Sequence, residues 1–69
     1  MKIEDIGLRP EEFPAKLKYF REQIKGWSRE RMARELGVTA QSIYRWERGR
    51  NYPNSDIVIR NLVNARFLE

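Results

Sequence analysis

The chain has 69 residues, which is enough for one small domain with a thin hydrophobic core. It contains neither Cys nor His, so disulfides, thiolate metal sites and the usual general base are excluded, and we expect no metal and no cofactor. Its 14 basic and 10 acidic residues give a net charge of +4, and no apolar run is long enough for a membrane span.

Residues 1–13 are predicted to form an N-terminal arm or a short helical turn. Ile3, Ile6 and Leu8 lie among charged side chains, which fits either a frayed arm or a segment that covers the core. Some DNA-binding arms enter the minor groove through basic residues. Residues 1–9 instead carry two basic and two acidic side chains, so we favour the structural role.

A first helix is predicted to begin at Pro14 and to end at Lys25, immediately before a glycine. Proline suits the first position of a helix because the amide that it lacks would have no partner there. Leu17, Phe20 and Ile24 recur at spacings i, i+3 and i+7. This spacing predicts that the three side chains face the core.

Two short helices joined by a tight turn are predicted over about residues 29–36 and 40–48. Ser28 and Thr39 precede them, and each offers a side-chain oxygen to the free amides of the helix that follows. Gly37 lies where a residue in the left-handed conformation can end the first of these helices at low cost.

The apolar residues of these two helices follow helical spacing. Met32, Ala33 and Leu36 share one face of the first, and Ile43 and Trp46 share one face of the second. Ala33 is small at the expected crossing point, so the two backbones can approach closely. The pattern is typical of a helix-turn-helix, although an ordinary helical hairpin without a nucleic-acid role would show much of it.

The excess of positive charge lies entirely on this part of the chain. Residues 25–50 carry seven basic and three acidic side chains, whereas the segments on either side are balanced. Six of the seven are Arg, which forms planar bidentate hydrogen bonds to phosphate and guanine. A charged run is usually only a solvated face. Its coincidence with the helix-turn-helix pattern favours a DNA-binding surface.

This part of the chain resembles the lambda-repressor and Cro-like (XRE-type) family of DNA-binding domains. The resemblance covers about residues 13–63, and the loop at residues 50–53 continues it with a basic residue and a closing proline. The matching residues are Arg29, Met32, Ala33, Leu36, Gly37, Val38, Ile43, Trp46, Glu47 and Gly49.

The resemblance implies an all-α fold, a small bundle of four to five helices, with the DNA-binding domain over residues 14–67. It implies a transcriptional regulator, expected to be a repressor, that binds double-stranded DNA sequence-specifically. The protein is expected to be cytoplasmic, of prokaryotic or phage type and associated with the nucleoid, and no binding to a membrane is expected.

In such proteins the second helix of the motif enters the major groove with its N-terminal residues foremost. The expected base contacts are therefore Ala40, Gln41, Tyr44 and Arg45. A glutamine can bond bidentately to adenine, an arginine to guanine, and a methyl group can touch the thymine methyl. For Tyr44 a base, a sugar and a phosphate all remain open.

Phosphate contacts are expected to fix the register of the protein on the duplex. The candidates are Arg29, Thr39, Ser42, Arg48, Arg50 and Asn51. Family members often carry Gln where this chain has Arg29, which leaves open whether Arg29 bridges the two helices of the motif. Glu47 is expected to be structural and to pair with an Arg of the first of these helices or of the following loop.

A last helix is predicted after the loop at residues 51–54, with Ser55 or Asn54 as its cap and an end at Arg66 or Phe67. It is unusually apolar. One interpretation buries it on two sides, under the first helix and the N-terminal arm. The other makes it a homodimer interface. That interface would be formed by Ile57, Ile59, Val63 and Phe67.

The final dipeptide, Leu68-Glu69, is often left by cloning vectors, so it is excluded from the fold prediction. If it is such a remnant, the chain is expected to be the first domain of a longer protein, fused to a further domain.

Two other classes of function compete with DNA binding. A protein-interaction module on the same scaffold, antitoxin-like or a bridging factor, is supported by the apolar last helix, whereas the clustered arginines argue against it. An enzyme is not expected, because the chain has no His, no Cys, no glycine-rich phosphate loop and no carboxylate cluster with a basic partner.

Overall fold

The computed structural model describes residues 1–68, and within them all regular structure is helical, as the sequence predicts. The four α-helices are α1 (Phe13–Tyr19), α2 (Arg29–Leu36), α3 (Ala40–Glu47) and α4 (Asp56–Asn64). Two 3₁₀ turns, Ile3–Ile6 and Pro10–Glu12, precede α1, and a π-helical turn, Phe20–Lys25, continues it. Within the described part of the chain, no helix has both the length and the apolar character needed to cross a bilayer.

The first helix differs from its prediction at its C-terminal end. Leu17 and Phe20 are buried as expected, but Ile24 is 58% exposed, so the prediction that it faces the core is wrong. The reason is the π-helical turn, whose i→i+5 hydrogen bonds place more residues in each turn than an α-helix does. By Ile24 the chain has therefore rotated away from the face that Leu17 occupies. Arg21 is buried in this region instead.

The two helices of the motif begin and end close to where the sequence predicts. Ser28 Oγ accepts the amide of Arg31 at 3.0 Å, and Thr39 Oγ1 accepts the amide of Ser42 at 3.1 Å, so both predicted caps are confirmed. Gly37 ends α2 with a φ of +75°, in the left-handed conformation. α3 packs against both α1 and α2, and α2 also contacts α4.

The core is formed by all four helices together with the N-terminal segment. Met32, Leu36 and Ile43 are almost completely buried, as their spacing predicts. Ile3 and Leu8 are buried in the same cluster, so the residues before α1 cover the core and do not form a frayed arm.

The last helix is shorter than predicted, because α4 ends at Asn64 and not at Arg66 or Phe67. Arg66 has a φ of +73°, and the amide of Phe67 donates to the carbonyl of Leu62 at 3.1 Å. This left-handed closure turns the chain back onto the core. The ring of Phe67 then packs edge-on against the rings of Phe13 and Phe20, with centroids 5.8 and 5.1 Å away.

Two further expectations for the last helix are corrected. Ile59 and Phe67 are 0% and 1% exposed, so they belong to the core and cannot contribute to a dimer interface, whereas Ile57 and Val63 are exposed. Ser55 occupies the cap position, but its side chain makes no capping hydrogen bond. The carboxylate of the following Asp56 instead accepts the amino terminus.

Candidate nucleic-acid interface

The outer face of α3 carries three of the four side chains predicted to contact bases. Gln41, Tyr44 and Arg45 are exposed, while Ile43 and Trp46 on the opposite face are buried. This division fixes the rotation of the helix about its own axis. The polar side chains therefore point away from the protein.

The fourth predicted base contact and the residues after α3 complete this face. Ala40 is half-buried against the core, so only part of its methyl group faces outward. Arg48, Arg50 and Asn51 are exposed. Within residues 1–68, neither of these arginines forms an ion pair, so both keep their charge available for an anion.

A turn after α3 fixes where these arginines emerge. Gly49 lies at a φ of +70°, and a Cβ atom there would meet Pro14 Cγ at 3.4 Å. The amide of Arg50 donates to the carbonyl of Arg45 at 3.0 Å, which closes the end of the helix. The backbone of the turn thus lies close to Pro14 of α1, and the basic side chains that flank it are exposed.

Tyr44 lies in contact range of two guanidinium groups. The central carbon of Arg29 is 5.3 Å from the centre of the Tyr44 ring, and that of Arg48 is 5.5 Å from it. Both distances are within the range of cation–π attraction. One arginine comes from α2 and the other from the end of α3, so cations from both helices of the motif lie beside the ring.

Arg29 also connects the surface to a buried ion-pair network centred on Glu47. Arg29 Nε donates to Glu47 Oε1 at 3.1 Å, and Arg21 Nε donates to Glu47 Oε2 at 2.6 Å. The Glu47 side chain is only 2% exposed. The structural role expected for Glu47 is confirmed. The open question about Arg29 is answered too, because it bridges α2 and α3.

A comparison with protein families identifies this arrangement. The model of the family described as helix-turn-helix (HTH_3) matches residues 17–60, well over half of the chain. The chain belongs to the helix-turn-helix family. This XRE or lambda-repressor-like family consists of DNA-binding transcription regulators and is generally non-enzymatic. Neither a curated protein nor a solved structure matches the chain.

Two hydroxyl groups mark the leading end of α3 in this helix-turn-helix. Thr39 Oγ1 lies 3.1 Å from Ser42 Oγ, and either atom can donate to the other. One hydroxyl proton is used between them, so one hydroxyl remains able to donate to a phosphate oxygen. Both residues were predicted to contact phosphate, and with Thr39 acting as the cap one hydroxyl proton of the pair is left for such a contact.

Arg21 is a structural residue of the helix-turn-helix domain that the sequence reasoning missed. It is 6% exposed, and its guanidinium also donates to the carbonyl of Trp27 at 3.0 Å. The hydrogen bond that Arg21 donates to Glu47 raises the pKa of Arg21 above its usual value, while burial acts in the opposite direction. The available signal was its position four residues after Leu17, on the same helical face.

Proposed function

We propose that this protein is a transcriptional repressor that binds a specific double-stranded DNA sequence with α3 in the major groove. The observation that supports this most directly is the exposed polar face of α3, with Gln41 and Arg45 one turn apart and unpaired arginines just beyond them. A single α-helix fits the major groove, whose base edges differ between all four base pairs. We infer that the protein acts on the nucleoid of a prokaryote or on phage DNA.

In this proposal the bases are read mainly by Gln41 and Arg45. Their side chains can form bidentate hydrogen bonds to adenine and guanine, respectively. Ala40 is a weaker candidate for a thymine methyl, because it is half-buried. Tyr44 is exposed on the same helix beside Arg29 and Arg48, so its ring can lie against a base or a sugar.

The strands on either side of the groove are proposed to be held by Arg48, Arg50, Asn51 and the hydroxyl pair at the start of α3. Arg29 has a divided role. Its Nε atom donates to Glu47, which leaves the terminal nitrogens of the guanidinium for a phosphate. Because Glu47 and the Tyr44 ring both hold Arg29, it would meet the phosphate already ordered, which lowers the entropy cost of binding.

Selection of bound sequences from a random duplex library tests the proposal. We expect one preferred sequence, and for a dimer a palindrome with half-sites about one helical turn apart. Replacing Gln41 or Arg45 by Ala should each cost roughly 1–3 kcal/mol on that sequence and little on others. Equal losses on all sequences would contradict base reading by these residues.

The phosphate contacts have a different signature, which is the dependence of affinity on salt. Arg50→Ala should weaken binding to all sequences alike and reduce the salt slope by about one unit. Arg60→Ala is the matched control, because Arg60 is an exposed arginine on α4 and outside the predicted contact set. If Arg50→Ala and Arg60→Ala leave the same slope, Arg50 does not contact phosphate.

We further propose a homodimer, now restricted to the exposed residues of α4. Ile57 is 70% exposed and Val63 is 38% exposed, and both are apolar. Val63→Asp should therefore abolish self-association in sedimentation experiments. A wild-type protein that stays monomeric at high concentration would overturn the homodimer proposal. For the DNA-binding proposal, absence of salt-dependent duplex binding would favour the protein-interaction alternative.

A further inference from the structure

A groove lies between the first helix, with its π-helical turn, and the C-terminal Phe67, and no residue of α2 or α3 lines it. Its volume is about 280 Å³. The lining residues are Lys16, Tyr19, Phe20, Ile24 and Phe67. None of them belongs to the predicted DNA-contact set, so the groove is not explained by the function proposed above.

The groove has an apolar floor and an apolar rim. Phe20 and Phe67 form the floor, where their buried rings meet edge to face at an interplanar angle of 89°. Tyr19 and Ile24 form the rim and are 60% and 58% exposed. Ile24 takes this position because of the π-helical turn, and such turns often occur at functional sites. Since the floor rings are almost completely buried, the apolar surface that an occupant would contact belongs mainly to Tyr19 and Ile24.

The charge around the groove is positive. Lys16 Nζ lies 5.7 Å from the Phe67 ring and Lys25 Nζ lies 5.7 Å from the Phe20 ring, so a cation stands over each ring of the floor. Within the described residues neither lysine has an ion pair, and no carboxylate lines the groove. The nearest acid in sequence to Lys25, Glu22, contacts Arg21 instead.

We propose that this groove binds an acidic amphipathic segment of a partner protein. Its apolar side chains would lie between Tyr19 and Ile24, and its carboxylates would pair with Lys16 and Lys25. Charge complementarity favours such a partner over a second copy of the chain, which carries a net charge of +4. Apolar side chains also distinguish it from nucleic acid, whose phosphates would leave the exposed apolar rim of the groove, Tyr19 and Ile24, uncovered.

Synthetic peptides titrated into the whole chain test this proposal. The probe is a short helical peptide with Leu at one face and Glu elsewhere. One matched peptide replaces Glu by Lys, and the other replaces Leu by Gln. We expect the Leu/Glu peptide to shift the amide signals of Tyr19 and Ile24, and the two matched peptides to bind about tenfold more weakly or worse.

Variants of the chain sharpen the test. Ile24→Ser should weaken binding of the Leu/Glu peptide about tenfold. Replacing both Lys16 and Lys25 by Gln should weaken it and reduce its salt dependence. Ile57→Ser is the control for the peptide titration alone, because Ile57 is an exposed isoleucine on a different helix and outside the groove, and it should leave the affinity for the peptide unchanged. Ile24→Ser should leave thermal unfolding and duplex binding unchanged, which separates this proposal from the DNA-binding one.

Three outcomes would overturn the proposal. Peptide-induced shifts confined to α3 would show only attraction to its arginines. A self-associating wild type that Ile24→Ser makes monomeric would assign the groove to a second copy of the chain. Shifts at Tyr19 and Ile24 on adding mixed-sequence duplex would assign it to nucleic acid.

Discussion

The motif at residues 28–51 and the C-terminal end of the first helix differ in how their conformation is decided. In the motif, each helix starts at a hydroxyl that caps it, as at Ser28 and Thr39, with bonds spanning only three residues. At the end of the first helix, Arg21 is bound by Glu47, which lies 26 positions away in the sequence. The helix caps of the first region can be predicted from the sequence, because their hydrogen bonds are short-range. The conformation of the second region depends instead on a long-range ion pair.

The comparison also explains why apolar spacing succeeded in one region and failed in the other. The faces of α2 and α3 follow ideal helical geometry, so Leu36 and Ile43 are buried as predicted. After Phe20 the helix widens, and Ile24 leaves the face to which ideal spacing assigns it. Apolar periodicity therefore predicts burial only where the turn is truly α-helical.

The largest effect is expected from Glu47→Ala, which removes the carboxylate that both regions share. Arg21 would remain buried without its buried partner and with only the exposed Glu22 beside it, so we expect a loss of about 3–5 kcal/mol in the free energy of unfolding. Glu35→Ala is the matched control, because Glu35 forms an exposed pair with Arg31. That change should cost only about 0.5 kcal/mol or less.

Urea denaturation of the two Glu variants measures both values. Similar losses from Glu47→Ala and Glu35→Ala would contradict the claim that the buried network holds the end of the first helix in place.

A slightly smaller effect is expected at Leu17, and it tests the register of the first helix. Leu17→Ala empties a fully buried position and should cost about 2–5 kcal/mol. Ile24→Ala changes a largely exposed side chain and should stay within about 0.5 kcal/mol of the wild type. If thermal or urea unfolding gave the two variants equal losses, Ile24 would have to lie on the core face.

Helix capping supplies a third, smaller contrast. Thr39→Ala removes the oxygen that accepts the amide of Ser42, and we expect a cost of about 1 kcal/mol. Ser55 occupies the same position in α4 but accepts no capping bond, so Ser55→Ala should be nearly neutral in the same unfolding assay. If Ser55→Ala destabilised the protein as much as Thr39→Ala, the stabilisation would come from the residue type at the cap position and not from the capping hydrogen bond.

The smallest effect concerns the exposed contact between the amino terminus and Asp56. Hydrogen bonding and attraction from the amino group lower the pKa of Asp56 below its usual 3.8. A carboxyl whose pKa is lower in the folded protein than in the unfolded chain stabilises the fold at pH values above its unfolded-state pKa. This contribution disappears as the pH falls through the pKa that the carboxyl has in the folded protein. Asp56→Asn should therefore slightly lower stability at neutral pH and make no difference in strong acid.

Acetylation of the amino terminus provides the matched test of this contact, since it removes the charge from the other partner. Unfolding followed from neutral to acidic pH should show the same loss of pH dependence as in Asp56→Asn. An acetylated protein that kept the full dependence of the wild type would exclude the amino group as the cause.

The last helix shows where reasoning from the sequence reaches its limit. Its apolar residues outnumber those that one helical face can bury, so the sequence left both a dimer interface and burial on two sides open. Because the chain reverses at Arg66, Phe67 is buried in the core, where it packs against Phe13 and Phe20. The residues near Phe67 do not predict that turn, because its left-handed position is occupied by Arg66, whereas glycine usually adopts this conformation.

The sequence by itself determined the all-helical class, the positions of α2 and α3, their caps and the concentration of arginine on them. These features depend on hydrogen bonds and spacings within a few residues of one another. Only the tertiary structure decided that Arg21 is buried, that Arg29 joins Glu47 to Tyr44, and that Ile24 faces outward. The first two outcomes depend on contacts between residues far apart in the chain, which exist only once the helices have packed. The third depends on a π-helical turn that apolar spacing does not predict.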